Sequence, residues 1–283
     1  GASALQTLNA GASGFNTAAG FEAGKAMTTG VKNTLLGARA GIALTTGSEN
    51  TIVGRDALFT DTLGSKSVAI GQDTLASQNF TTATDTYNTA VGHGAGLATT
   101  TGIQNTLIGG LAGDALTVGS YNIAIGKETL STDTKGSKSV GVGNGTLFAQ
   151  NFTTATDAYN VAVGHQAGVS VTTGTNNVLI GGLAGSRSTA LGRNALQAQN
   201  FTSATDAYNV AIGYAAGNDL TTGSRNTCVG SLAGQNITTG ASNICIGLSA
   251  ETSQVDAERQ IVMGDSVTGA GNDHLTFGHG STD

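Results

Sequence analysis

The residues best suited to touching a ligand occur in three copies. Phe80, Asp85 and Tyr87 return as Phe152, Asp157 and Tyr159, and again as Phe201, Asp206 and Tyr208, each set inside a Gln-Asn-Phe-Thr-x-Ala-Thr-Asp-x-Tyr segment. A ring and a carboxylate this close together suit a sugar or a protein surface, because the ring supplies apolar area and the carboxylate accepts hydrogen bonds. Two roles stay open for the phenylalanines: exposed receptor contacts, or caps over the core of a widened coil. For the aspartates, turn capping is the ordinary role.

Other chemistry is scarce. His93 and His165 stand 72 residues apart, each directly after a repeat glycine. In a symmetric assembly, equivalent histidines could face a common axis and share a metal or an anion; the ordinary alternative is a surface residue copied by duplication. His274 and His279 have no neighbouring Cys or Glu cluster of the kind that holds zinc, so no metal centre is expected. Gly141-Val-Gly-Asn-Gly145 lacks the strand-turn-helix context of a phosphate-binding loop. Asp and Glu total 18 and are scattered, where glycoside hydrolysis needs a facing pair. We therefore expect neither catalysis nor a cofactor. The net charge of −6 gives no nucleic-acid footprint, and no apolar run reaches membrane-spanning length.

What must position these residues is a short repeat. The pentapeptide [Asn/Ser]-x-x-x-Gly, with an apolar fourth residue, occurs 14 times, weaker copies from Gln260 and His274 bring the total to 16, and the closing glycines are usually 17 apart. Clear copies are Asn33-Thr-Leu-Leu-Gly37, Asn105-Thr-Leu-Ile-Gly109 and Asn122-Ile-Ala-Ile-Gly126. A period this short predicts one strand per coil of a solenoid. Alternation puts the second and fourth residues on one face, which we expect to be the interior, with the small third residue outside. A small residue, usually Ala, stands three places after each glycine, as at Ala40, Ala57 and Ala112, and suggests a second strand across a thin core. Thr-x-Gly turns precede many copies, where Gly takes positive φ without steric cost.

Stacking such coils sets like on like. Asn33, Asn50, Asn88, Asn105, Asn122, Asn160, Asn177, Asn209, Asn226 and Asn243 are then expected to form a hydrogen-bonded amide ladder. The absence of Pro fits, since each would remove a ladder bond. At roughly 4.8 Å per coil, 16 coils would make a rod on the order of 70 Å long. Cys228 and Cys245 fall in the third place of adjacent coils, with side chains pointing the same way, and are expected to be free. One narrow coil per chain encloses little apolar volume, so an apolar stripe is expected to find a partner. Identical chains about a common three-fold axis are the natural solution.

Ser67-Val-Ala-Ile-Gly71 and Asn209-Val-Ala-Ile-Gly213 resemble the head repeats of trimeric autotransporter adhesins, whose strands build a left-handed parallel β-roll. The 17-residue spacing with Thr-Thr-Gly turns is still more similar to related repeats in bacteriophage tail fibres. The resemblance covers nearly the whole chain and implies a surface-exposed homotrimeric fibre.

The expected fold is therefore all-β, a parallel β-solenoid (β-roll) of about 16 coils, mostly 17 residues each. Residues 1–250 form the repeat domain, with longer loops near 78–87, 150–159 and 199–208, and 251–283 form divergent C-terminal coils or a cap. A 72-residue unit repeats from Gly64 to Gly136 but returns at Gly185 after only 49, so the stack is expected to be irregular between Gly181 and Ser188. Inserted residues in a solenoid go to loops on one face, often the binding face. The expected function is non-enzymatic: a fibre segment, most readily of a phage tail, attaching to polysaccharide or protein on a host cell surface. It would be extracellular, on a virion or a bacterial surface. A bacterial adhesin head, a passive spacer and an ice-binding solenoid are the alternatives.

Overall fold

The structure, a computed structural model, describes residues 1–11, 13–180, 188–199 and 207–280. Among them there is no α-helix, and every strand pairing described is parallel. The chain divides into two compact units, one of Gly1–Gly145 with Asn151–Asp157, the other of Thr146–Gln150 with Ala158–Asp283. Each unit is a parallel β-solenoid.

In the first unit eight three-residue strands stack in chain order, from Thr17–Ala19 and Thr34–Leu36 to Ile123–Ile125 and Val140–Val142. The register is strict: Thr34 lies against Thr51, Leu35 against Ile52 and Leu36 against Val53. In the second unit the stack runs from Val161–Val163 and Val178–Ile180 to Ile261–Asp265 and Leu275–His279. Val178 pairs with Thr189 although the intervening coil is shortened, so the irregularity expected there leaves the strand register intact; Gly181 to Arg187 lie outside the described residues. The two strands after residue 250 continue the parallel pairing of the second unit.

Two expectations about the coil are corrected. The first is which strand face is inside. From Leu35 to Val262 the third residue of the pentapeptide is buried (Leu35, Ile52, Ala69, Leu107, Ala124, Leu179 and Cys228 among them), while the second and fourth residues face out. The period-two alternation holds, with the opposite phase to the one expected. Large side chains in two columns do not fit here, because the opposite wall closes in on the single inner column. A Cβ placed on Gly113 would stand 2.8 Å from Leu107 Cδ2 and 2.9 Å from Leu116 Cδ1. In some coils volume is traded across this gap. Where the strand centre is Ala69 or Ala124, the place held elsewhere by Gly113 is taken by Leu75 or Leu130, both fully buried. Such compensation keeps a thin core at native density.

The second correction concerns the opposite wall, which is not a strand. It is a chain of tight turns with alternating positive φ, as in Leu111 (58°) and Gly113 (57°), closed by bonds from Ala112 N–H to Gly109 O (3.3 Å) and from Leu116 N–H to Gly113 O (3.1 Å). The small residues still point inward: Ala40, Ala57, Ala95 and Ala112 are fully buried. Gly109 itself, at φ 135°, tolerates no side chain, since a Cβ there would lie 2.5 Å from the Gly126 carbonyl oxygen of the next coil.

Candidate recognition surface

The asparagines are buried and act on the backbone. Asn105 Oδ1 accepts the N–H of Asn122 at 2.9 Å, while Asn105 Nδ2 donates to Gly119 O at 2.9 Å. The same pair of bonds recurs around Asn50, which accepts from Ser67 N–H and donates to Gly64 O, and around Asn226, which accepts from Asn243 N–H and donates to Gly240 O. Asn33, Asn88, Asn122, Asn160, Asn209 and Asn243 likewise donate to a backbone carbonyl. The ladder therefore runs mainly from side chain to backbone. Direct amide-to-amide bonds are local, as between Asn177 Nδ2 and Asn160 Oδ1 (2.8 Å). Each asparagine ties the start of one strand to the coils on either side, which fixes the register.

The inserted segments are partly strand. Thr84–Asp85 pairs in parallel with Gly64–Ser65, and Thr156–Asp157 with Gly136–Ser137. Beneath the first lies a buried polar network. Asp61 accepts from Gly64 N–H, Phe80 N–H and Gln78 Nε2, and Gln78 in turn meets Ser67 Oγ and Asn88 Nδ2. Asp133 repeats this with Gly136 N–H and Phe152 N–H, and Asn160 Nδ2 meets Gln150 Oε1. A buried carboxylate with several N–H donors is well satisfied, so the network specifies the loop. In the third copy the matching place is Gly182 in the sequence, and both amide atoms of Gln199 are buried without a partner among the described residues.

Phe80 and Phe152 are buried (7% and 5% exposed) and cap the core, so the receptor-contact role is withdrawn for them. Phe201 and Asp206 lie outside the described residues. Tyr87, Tyr159 and Tyr208 project from the surface, each about half exposed, and Asp85 and Asp157 are exposed. Asp85 pairs with Lys66 Nζ at 2.6 Å, and Lys66 also lies over the Tyr87 ring, 5.1 Å from its centroid, and reaches the Tyr87 hydroxyl at 3.2 Å. The hydrogen bond that Lys66 donates to Asp85 holds its ammonium above its ordinary range. Asp157 pairs with Lys138 at 2.7 Å.

The remaining candidates are dispersed. His93 and His165 are exposed, and among the described residues no three His, Cys, Asp or Glu side chains come together as a metal site. Cys228 and Cys245 are adjacent, buried and free. Burial pushes the Cys245 thiol up to about 12 and Cys228 higher still.

Sequence reasoning missed two features. One is a shallow cleft of about 320 Å³ lined by Arg39, Asp56, Phe59, Asp73 and Ala76, in which Arg39 binds Asp56 at 2.7 Å and lies 5.3 Å from the Phe59 centroid. Its residues come from three successive coils, Arg39, Asp56 and Asp73 at one place of the repeat and Phe59 and Ala76 at another, and a charged place in the repeat does not by itself announce a cleft. The other is the outer strand face. Leu36, Ile108, Ile123 and Ile125 in the first unit remain 36–39% exposed, and Val178, Ile180, Leu191 and Met263 in the second 40–46%. No charged residue occupies the second or fourth strand place from Thr17 to Val142 or from Val161 to Ile246. The correct phase of the alternation would have revealed it.

No family model, curated protein or solved structure matches this chain.

Proposed function

We propose that the chain is a non-enzymatic segment of an extracellular attachment fibre, assembled as a homotrimer and of the kind carried by phage tails, that binds polysaccharide or protein on a host cell surface. The observation that carries this reading is the outer strand face. Its fourth-place column is apolar in successive coils, from Leu36 and Val53 to Ile108 and Ile125, its second place is Thr, Val or Ile, and no charge interrupts it. An apolar surface this continuous is costly in water and marks an interface. A second and third copy of the same chain are the occupants it suits best, because their coils share its pitch and can meet it rung for rung. Closed symmetry then buries every copy of the face equally.

The resemblance of the pentapeptides to tail-fibre and adhesin repeats supports the same assembly. Covering the face leaves the long-segment tyrosines to meet a partner. Light scattering on the purified chain tests the reading: a mass three times 27.9 kDa supports it, and a monomer overturns it. Thr17, Thr34 and Thr51 do stack on the outer face, so a thermal-hysteresis assay is the control for ice binding.

A further inference from the structure

The residue just before a pentapeptide forms a column of its own, exposed at Tyr87, Gln104 and Tyr121. Tyr121 N–H bonds to Ile103 O, the carbonyl before Gln104; Gln104 N–H bonds to Thr86 O, before Tyr87; Lys138 N–H bonds to Ser120 O, before Tyr121. Lys66, Tyr87, Gln104, Tyr121 and Lys138 therefore stand one above another on successive coils of the first unit. Each has a positive φ, between 51° and 62°. A bulky ring is disfavoured there, and Gly or Asn would be easier. Yet of the five tyrosines in the chain, Tyr87, Tyr121, Tyr159 and Tyr208 take this place. Backbone preference does not put them there, and core packing does not either, since Tyr87 and Tyr121 are 52% and 48% exposed.

Resting on the attachment reading, we propose that this column is a binding track for a linear polysaccharide, lying along the stack with its sugar rings against Tyr87 and Tyr121. The two tyrosines are two coils apart, about 9.5 Å at the strand spacing, so their rings offer repeated apolar platforms along one line. The exposed Gln104 amide stands between them, and Asp85, whose carboxylate also pairs with Lys66, is exposed beside Tyr87. Lys66 is held by Asp85 and Tyr87, so this end of the track is ordered before binding. A polymer with its own translational repeat can engage several coils at once. A protein partner suits the column less, because the centre of such an interface is apolar and the column holds no aliphatic residue. A polyanion suits it less too, because Lys66 and Lys138 already have carboxylate partners.

The test uses the fluorescently labelled full chain on an array of bacterial capsular polysaccharides and lipopolysaccharide O-chains, with light scattering on the same samples. The double variant Tyr87→Ala/Tyr121→Ala should weaken binding about tenfold or more, the worth of two stacked rings. Tyr214→Ala, outside the column, should leave binding unchanged. Binding lost equally in both variants, or no polysaccharide bound by the wild type, overturns the track. So does a double variant that loses the oligomeric mass of the wild type, because the tyrosines would then be contacts between copies. A wild-type monomer whose glycan binding still depends on Tyr87 and Tyr121 supports the track while removing the fibre reading.

Discussion

Asn105 and Asn122 are joined through the backbone: the Asn105 side-chain oxygen accepts the Asn122 N–H at 2.9 Å, and both side chains are fully buried. The same bond, repeated along each unit, makes the asparagine column a spine that locks one coil to the next.

Removing one link should be costly. Asn105→Ala leaves the Asn122 N–H and the Gly119 carbonyl buried without a partner, a loss of about 2–4 kcal/mol. Urea denaturation measures it. A shift in midpoint no larger than that of an exposed substitution such as Gln104→Ala would show that the spine is not structural.

The thin core should reject added volume. Gly113→Ala places a methyl group 2.8 Å from Leu107 at a positive φ and should destabilise by about 1–3 kcal/mol. Pairing it with Leu107→Ala, which empties the facing position, should recover part of the steric loss in a double-mutant cycle. Additive effects would contradict the facing of these two residues.

The long segments should separate into scaffold and surface. Phe80→Ala removes a buried ring and should cost about 3–5 kcal/mol, whereas Tyr87→Ala, half exposed, should change stability by less than about 1 kcal/mol. Thermal unfolding of the two variants decides it; equal losses would mean that Tyr87 also belongs to the core of the coil.

One carboxylate gives a pH dependence with a definite sign. Desolvation raises the pKa of Asp114, with Glu128 adding to it, and its Oδ1 is buried without a partner among the described residues. An acid whose folded pKa is raised binds its proton more tightly when folded, so its penalty grows as pH rises from the ordinary carboxylate range through the folded value. Asp114→Asn should therefore raise the unfolding midpoint at about pH 7 and give no gain at about pH 3. A gain that is the same at both would contradict this assignment.

Burial also protects the two thiols. Cys228 and Cys245 should resist a thiol reagent at neutral pH in the folded chain and react fully once it is unfolded. Prompt reaction in the folded chain would mean that the core column opens.

Repetition made much of this legible from sequence. The coil length, the parallel stacking, the asparagine spine within each unit and the burial of the Ala40 and Ala112 column all follow from period and residue type. What period cannot supply is phase. Thr-Leu-Ile at 106–108 alternates equally well either way round, and only the glycine-tight opposite wall decides that Leu107 goes in. The turn-built wall escaped for a related reason: Leu111 takes a positive φ because coil-to-coil bonds hold it there, and no local propensity announces that. The Tyr87–Lys66 contact spans 21 residues and depends on the insertion that lengthens its coil.

The fibre reading requires the outer strand face to join copies of the chain. Solution mass of the wild type beside Ile123→Asp/Ile125→Asp tests it most directly, because both residues point outward and neither supports the core. A trimer is expected for the wild type and a folded monomer, with unchanged β circular dichroism, for the variant. A monomeric wild type, or a variant that remains trimeric, would contradict it.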